Sequence, residues 1–387
     1  MCIRDSFVRQ HLRSDTDNLE RRIANIAAEV EAIGKAGPPG RRPAVQDDRA
    51  LSVLRHPKGH DLPLVEASPG RINLDAAAEA VACWSEHPGS ETLPHQQQLR
   101  SALDAADVPG VARMLAQFGR CPAAEGILGG PRQHRRAAED PAFARLRALR
   151  THDALTSLAE ACGALRVENP DQGRWGFNVR LPSGELLDRI GQALAMDAGP
   201  PDAIGGYLGI EAGKGRVLHL RMVEAIYSAW RIRQVLTLLD LDVVMELGGG
   251  PGLRALYAHR LGVVRYATVE ETVMGAVQTY LLAASGAGDA VRSSPCHRFG
   301  SRADLLFAEE TLPERSEKVA LDRLRRARDA GVRAILSVNH EAHLPHDAPT
   351  PTMGALVSAL GGFRLAQRTL HPVRPGFVEE LFVAADA

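Results

Sequence analysis

"DVVMELGGGPGLRALYAHR" (residues 242–260) is the stretch whose reading decides this chain. A short apolar run, Val243 to Met245, reads as a buried strand. Four glycines follow within a few residues, Gly248, Gly249, Gly250 and Gly252, and a helical pattern begins at once. Glycine is needed where backbone takes positive φ or must come close to something bound. Open α/β sheets bind ligands at the carboxyl ends of their strands, which is where this corner lies.

Outward from the corner, strand and helix patterns alternate. "RYATVE" and "ADLLFAEE" read as strands, as does "VRAILSVN". "TVMGAVQTYLLAASG", "SEKVALDRLRRARDAG" and "TMGALVSALGG" read as helices between them. Such alternation predicts a parallel sheet with right-handed crossovers. The last two strands, "FRLAQRTL" and "FVEELFVAA", are joined only by "HPVRPG", too short for a crossover, so they are antiparallel neighbours.

Before the corner the texture is different. Leu19, Ile23, Ile26, Val30 and Ile33 form one amphipathic helix, a packing or self-association element, and "PPGRRPAVQDDR" reads as a linker. From about Leu51 to Pro200 the chain is Ala- and Leu-rich and mostly helical, with a short hairpin expected at "WGFNVRLPSGELLDRI" around the turn "PSG". The division expected is 1–48 for the helix and linker, 49–200 for the helical region and 201–387 for the ligand-binding domain.

Bulk properties narrow the function classes. The 387 residues suffice for two or three cores, and the formal charge of −1 offers no broad basic surface for nucleic acid. Five cysteines without a C-x-x-C pair suit free thiols in a reducing compartment. No apolar run has the length of a membrane span and no secretory h-region opens the chain. The expectation is a soluble cytoplasmic protein without nucleic-acid or membrane partners.

Three ligands suit a glycine corner: a phosphate, a dinucleotide, or a nucleoside carrying a sulfonium. A phosphate P-loop needs a Lys after the glycines, and none follows. A dinucleotide fingerprint fits only as Gly250-x-Gly252-x-x-Ala255, with Glu270 as the ribose acid. Glu270 serves S-adenosylmethionine equally well. Glu246 inside the strand and the terminal hairpin favour the sulfonium. The fold class expected is α/β: a Rossmann-like seven-stranded methyltransferase sheet with a C-terminal antiparallel hairpin, preceded by a mostly α-helical N-terminal region.

"VVMELGGGPG", "YATVEETVMGAVQTYLLA", "DLLFAEETLPE", "ILSVNHEA" and "RPGFVEELF" together resemble the sugar O-methyltransferase family of class I S-adenosylmethionine-dependent enzymes, over roughly Ile204 to Ala384. Pro251 stands where the family has an aromatic residue, and Glu270-Glu271-Thr272 where it has Asp-x-Pro. The resemblance implies methyl transfer to a hydroxyl of a saccharide or a glycosylated metabolite. It also matches Glu314 to an acidic residue of that family's loop.

Such a reaction needs a general base near the acceptor hydroxyl. His340, directly after a strand end, is the first candidate, with Glu314 as a second base or as its orienter. Gly248, Gly250 and Gly252 are expected against the cofactor, Glu246 under its amino or sulfonium end, and Glu270 on its ribose. His343, His371 and Arg374 are expected at the acceptor. His340, His343 and His346 lie three apart, but Pro345 breaks the backbone needed for a preformed site, so no metal is assigned. The competing readings are an NAD(P)-dependent oxidoreductase and a catalytically inactive methyltransferase-fold subunit that binds or assembles through its N-terminal helices; the partners expected are a small-molecule acceptor and a second copy of the chain, a homo-oligomer through those helices.

Overall fold

The computed structural model describes residue 55 and residues 62–86, 93–169, 171, 173, 176–270, 272–288, 291–295, 302–313, 315–340 and 352–385. The amphipathic helix expected at 19–33 lies outside them, as do Glu314 and His343.

Among the described residues the lead-in holds β1 (Leu64–Glu66), followed by helices α1 (Leu74–Ser85), α2 (Gln97–Asp104), α3 (Val108–Ala116), α4 (Gly130–Glu139), α5 (Pro141–Ala161) and α6 (Ser183–Leu194). Their starts are written locally. Asn73 Oδ1 accepts from Ala76 N at 3.0 Å, Asp107 Oδ1 from Gly110 N at 2.9 Å and Asp140 Oδ1 from Phe143 N at 3.0 Å. Each satisfies a first-turn N–H that has no partner inside its helix.

Among the described residues the hairpin expected at 175–190 is not present. Asn178–Arg180 forms a single 3₁₀ turn and the chain enters α6 at Ser183. Leu186, Leu187, Ile190 and Leu194 are all buried at helical spacing, a pattern that two-residue alternation cannot bury on one side. Pro182 precedes the first turn, where its missing N–H costs nothing.

Next come β2 (Leu208–Glu211), β3 (Val217–Leu218) and the long helix α7 (Leu220–Leu239). Strands β1, β2 and β3 form a small antiparallel sheet within the lead-in. The remaining elements are β4 (Val244–Leu247), α8 (Leu253–Arg260), β5 (Tyr266–Glu270), α9 (Met274–Ala284), β6 (Val291–Pro295), β7 (Leu305–Glu309), α10 (Glu317–Asp329), β8 (Ala334–His340), α11 (Met353–Leu360), β9 (Phe363–Leu370) and β10 (Phe377–Ala384).

The main sheet is mixed, in the order β6-β5-β4-β7-β8-β10-β9. Strands β4 to β8 run parallel, and β10 lies antiparallel between β8 and β9. Order reverses at β4, whose neighbours are β5 and β7, so the loops after β4 and β7 diverge to opposite sides and leave a crevice there.

Alternation divides the buried residues between two faces. Val244, Phe307, Leu336 and Leu381 face the core shared with α7, α8 and α9. Met245, Leu306, Ile335 and Phe382 face Ala320, Leu324 and Ala327 of α10 and Met353, Leu356 and Val357 of α11. Among the described residues no helix is long and apolar enough to cross a membrane.

Candidate functional site

The glycine corner sits where the sheet order reverses. Gly248, Gly250 and Gly252 have φ of +67°, +56° and +86°, which L side chains rarely adopt. The glycines do different things. A Cβ at Gly248 would lie 2.7 Å from Thr311 Oγ1, and one at Gly249 would lie 2.8 Å from Gln278 Nε2. These two are small so that the protein can pack against itself. At Gly250 a Cβ would meet nothing within 4 Å among the described residues, so here the turn is open.

Gln278 of α9 holds the turn in place. Its Nε2 donates to Gly250 O at 2.8 Å while its Oε1 accepts from Thr268 Oγ1 at 2.7 Å, in full burial. Sequence reasoning passed over Gln278. The available signal was a polar residue on the buried face of an apolar helix, which must find partners.

Glu270, at the end of β5, lies against the same turn. Its carboxylate accepts from Thr272, whose Oγ1 is 3.1 Å away, and the Gly250 N–H favours its ionised form. Burial pushes the carboxyl up, and the bonds from Thr272 and Gly250 only partly offset that. Glu270 is therefore an acceptor kept beside open backbone at a cost in solvation.

Glu246 is placed differently from expectation. It is fully buried beneath the turn, its carboxylate paired with Arg254 Nε and accepting from Tyr266 Oη at 3.0 Å. Its alternation in β4 turns it toward the face shared with α8, one turn of which brings Arg254 back over it. Glu246 thus ties the corner together from below and does not present itself to a ligand.

Arg254 belongs to a larger network that joins three strand ends and α7. Its Nη1 donates to Glu309 Oε2 at 2.8 Å. Arg374 bonds Glu309 on the other oxygen, and its Nη2 reaches Glu310 Oε2 at 2.9 Å. Arg221, in the first turn of α7, bonds Glu224 Oε2 at 3.0 Å and stands 3.7 Å from Glu309 Oε1. Burial opposes ionisation of Glu309, but Arg254, Arg374 and Arg221 outweigh it and hold the pKa down at about 2. Glu310 carries a φ of +56°, a left-handed conformation unusual for a non-glycine residue, at the mouth of the crevice.

The residues expected at the acceptor separate into two groups. His371 and Arg374 are turned inward, 4% and 7% exposed. His371 Nδ1 accepts from Val373 N at 3.2 Å and Arg374 N at 3.0 Å, which forms the turn between β9 and β10. Burial, then the charge of Arg374, lowers its pKa to about 3, so it stays a neutral turn-former. Arg374 is spent on three carboxylates, since Glu224 Oε1 also lies 3.4 Å away. Neither is available to an acceptor in this arrangement: His371 is taken up by the turn it closes and Arg374 by its three carboxylates.

His340 is placed otherwise. It ends β8, opposite Phe377 in the β8–β10 register, and its ring meets the Phe377 ring edge-on at 4.9 Å. The Arg374 guanidinium carbon lies 3.5 Å from the centre of the same ring. Alternation puts His340 on the face of Glu309 and Glu379, and it is half-buried.

No family model matches the sequence, and no curated protein matches it. Solved structures do resemble it. A methyltransferase from Streptomyces caelestis shares 15% identity at a TM-score of 0.34, over 42% of this chain and 90% of that one. Magnesium protoporphyrin IX methyltransferase from Synechocystis, with S-adenosylhomocysteine bound, shares 13% at 0.35, over 42% and 85%. A glycopeptide N-methyltransferase shares 16% at 0.33, over 40% and 94%.

Proposed function

We propose that the chain is an S-adenosylmethionine-dependent methyltransferase whose acceptor is a hydroxyl of a sugar or a glycosylated metabolite. The observation that carries this reading is the pairing of Glu270 with the Gly250 turn. One acidic acceptor and one stretch of unobstructed main chain adjoin at the strand-order reversal. An adenosyl group has a ribose diol for the first and a flat, close-fitting body for the second. The antiparallel β10 between β8 and β9 also departs from the all-parallel dinucleotide sheet.

In this reading Gly250 admits the cofactor to the backbone, Gly252 lets the turn pack against Gln278, Gln278 keeps the turn in register, and Glu270 accepts from the ribose hydroxyls. Gly248 and Glu246 shape the turn from beneath. When bound, the cofactor supplies a methyl group activated by a sulfonium. The remaining task is to orient a hydroxyl in line with that methyl and remove its proton. His340, on rigid strand-end backbone and braced by Phe377, takes that proton, and Glu314 is the second candidate for base or orienter. The sugar assignment rests on the family resemblance in the sequence.

Calorimetry with S-adenosylhomocysteine and with NAD tests the reading. Micromolar binding of the former and none of the latter is expected. Binding of NAD alone would replace the proposal with a dehydrogenase.

A further inference from the structure

Glu310 is the first residue past β7, and its φ of +56° is left-handed. That conformation is costly for a residue with a Cβ, and residues held in it cluster at ligand sites. Its neighbours fix it in place. Glu310 N donates to Val338 O at 3.0 Å, and Thr311 Oγ1 donates to Leu247 O at 3.1 Å. Thr311 thereby leans on the glycine corner, its Oγ1 2.7 Å from where a Cβ of Gly248 would stand.

The Glu310 side chain reaches Arg374, whose Nη2 donates to Oε2 at 2.9 Å. The Arg374 guanidinium carbon lies 3.5 Å from the centre of the Phe377 ring, and that ring meets His340 at 4.9 Å. Contacts therefore run unbroken from the Gly248 turn, through Thr311 and Glu310, to the histidine proposed as base.

Charge is out of balance along this line. Glu246, Glu309, Glu310 and Glu224 share the guanidiniums of Arg254, Arg374 and Arg221 in one network, four carboxylates to three cations. The side chains of Glu246, Glu309 and Glu224 are 0%, 5% and 8% exposed, that of Glu310 30%. Among the described residues the Oε1 of Glu310 has no hydrogen-bond partner. The surplus negative charge thus emerges at Glu310, between the corner and His340.

We propose that Glu310 is a positioning residue whose Oε1 holds an ammonium group of the acceptor beside the methyl to be transferred. The inference rests on the methyltransferase reading and narrows its acceptor to an amino sugar or an amine-bearing glycoside. A neutral hydroxyl would satisfy Oε1 but leave the extra charge unmatched. An ammonium does both, through a charge-assisted hydrogen bond.

The test uses the full chain, as wild type and Glu310→Gln. Sinefungin carries an ammonium at the methyl position, where S-adenosylhomocysteine carries none. Calorimetry should show wild type preferring sinefungin, and Glu310→Gln losing that preference by about tenfold or more. S-adenosylhomocysteine affinity should not change. With S-adenosylhomocysteine bound, D-glucosamine should bind wild type at least about tenfold more tightly than D-glucose, and Glu310→Gln should bind the two alike. Glu310→Gln should melt no lower than wild type, because it removes a charge the network has in excess.

A sinefungin preference equal in wild type and variant means that Glu310 does not face the methyl, and the proposal falls. Glucosamine binding wild type no more tightly than glucose removes the ammonium and overturns it as well. A lower midpoint with an unmoved sinefungin preference makes Glu310 a brace for Arg374 alone. In each of these cases S-adenosylhomocysteine binding keeps the methyltransferase reading. If neither nucleoside binds wild type, that reading fails and takes the inference with it.

Discussion

Arg254 Nη1 lies 2.8 Å from Glu309 Oε2, so the helix leaving the glycine corner is bolted to the end of the neighbouring strand. The same guanidinium pairs with Glu246 on the corner's own strand. Opening the corner therefore means breaking a buried pair on both sides.

Arg254→Met should destabilise the chain by about 3–5 kcal/mol, because it leaves the fully buried Glu246 carboxylate without its cation and takes one of three arginines from Glu309. Urea unfolding checks this. Recovery of stability when Glu246→Gln is added to Arg254→Met would show that the loss comes from stranded charge. A loss below about 1 kcal/mol would mean the network contributes little.

Stability should rise with pH across the acidic range. An unfolded histidine titrates near 6.5, whereas His371 in the fold is held at about 3 by burial and by Arg374. Between these values the unfolded chain binds the extra proton, so stability is full above 6.5 and is lost as pH falls toward 3. Glu309 works in the same direction over a lower window, from its ordinary 4.5 down to about 2. The histidine alone predicts a loss of about 2 kcal/mol between pH 6.5 and pH 5. His371→Asn, whose side-chain oxygen can still accept from Val373 and Arg374, should flatten that slope, as urea midpoints at several pH values would show.

What could be read from the sequence and what could not follows from the range of the interactions. The corner at 242–260 is local: an apolar strand, glycines and a helix start are adjacent in the chain. The terminal hairpin was equally legible, since "HPVRPG" cannot span a crossover. The partners of Glu246 were hidden because a carboxylate in a strand reads the same whether a ligand or an arginine covers it. The bond between Arg374 and Glu309 spans 65 positions, and no pattern of spacing records it. Strands β2 and β3, of four and two residues, exist through their pairing with each other and β1 more than through local propensity. "PSG" misled because Pro followed by small polar residues opens both turns and helices; the deciding signal was Leu186, Leu187, Ile190 and Leu194 beyond it.

Glu270→Gln separates solvation cost from ligand binding. Burial raises the carboxyl's pKa, so removing its charge should raise the thermal midpoint slightly at pH 8. The same change removes a charged acceptor for ribose hydroxyls and should weaken S-adenosylhomocysteine by about tenfold to a hundredfold. A variant that is both less stable and equally tight would show that Glu270 only braces Thr272 and the turn.

Gly250→Ala and Gly248→Ala should differ in kind. Both force alanine into positive φ, at roughly 1–2 kcal/mol. At Gly248 the new methyl also runs into Thr311, so Gly248→Ala should lose more stability in thermal melts. At Gly250 the methyl enters open space, so its main effect should be on binding, with S-adenosylhomocysteine affinity down more than tenfold. Equal affinity in Gly250→Ala would mean that nothing bound uses that surface.

Of the two described histidines at the sheet's carboxyl edge, His340 is the one the proposed function takes as base. The Nδ1 lone pair of His371 is occupied by two backbone N–H groups, and its low pKa makes it a poor proton acceptor even if they let go. His340 meets Phe377 ring to ring, edge-on, a contact that orients the imidazole through its shape. His340→Gln should therefore lower kcat by about 10²–10⁴ with S-adenosylhomocysteine binding unchanged. Phe377→Leu keeps the base but loosens it, and should cost less in kcat than the loss of the imidazole. If His340→Gln turns over at the wild-type rate while Phe377→Leu does not, the aromatic pair serves the fold of the β8–β10 ladder, and the proton leaves by another group.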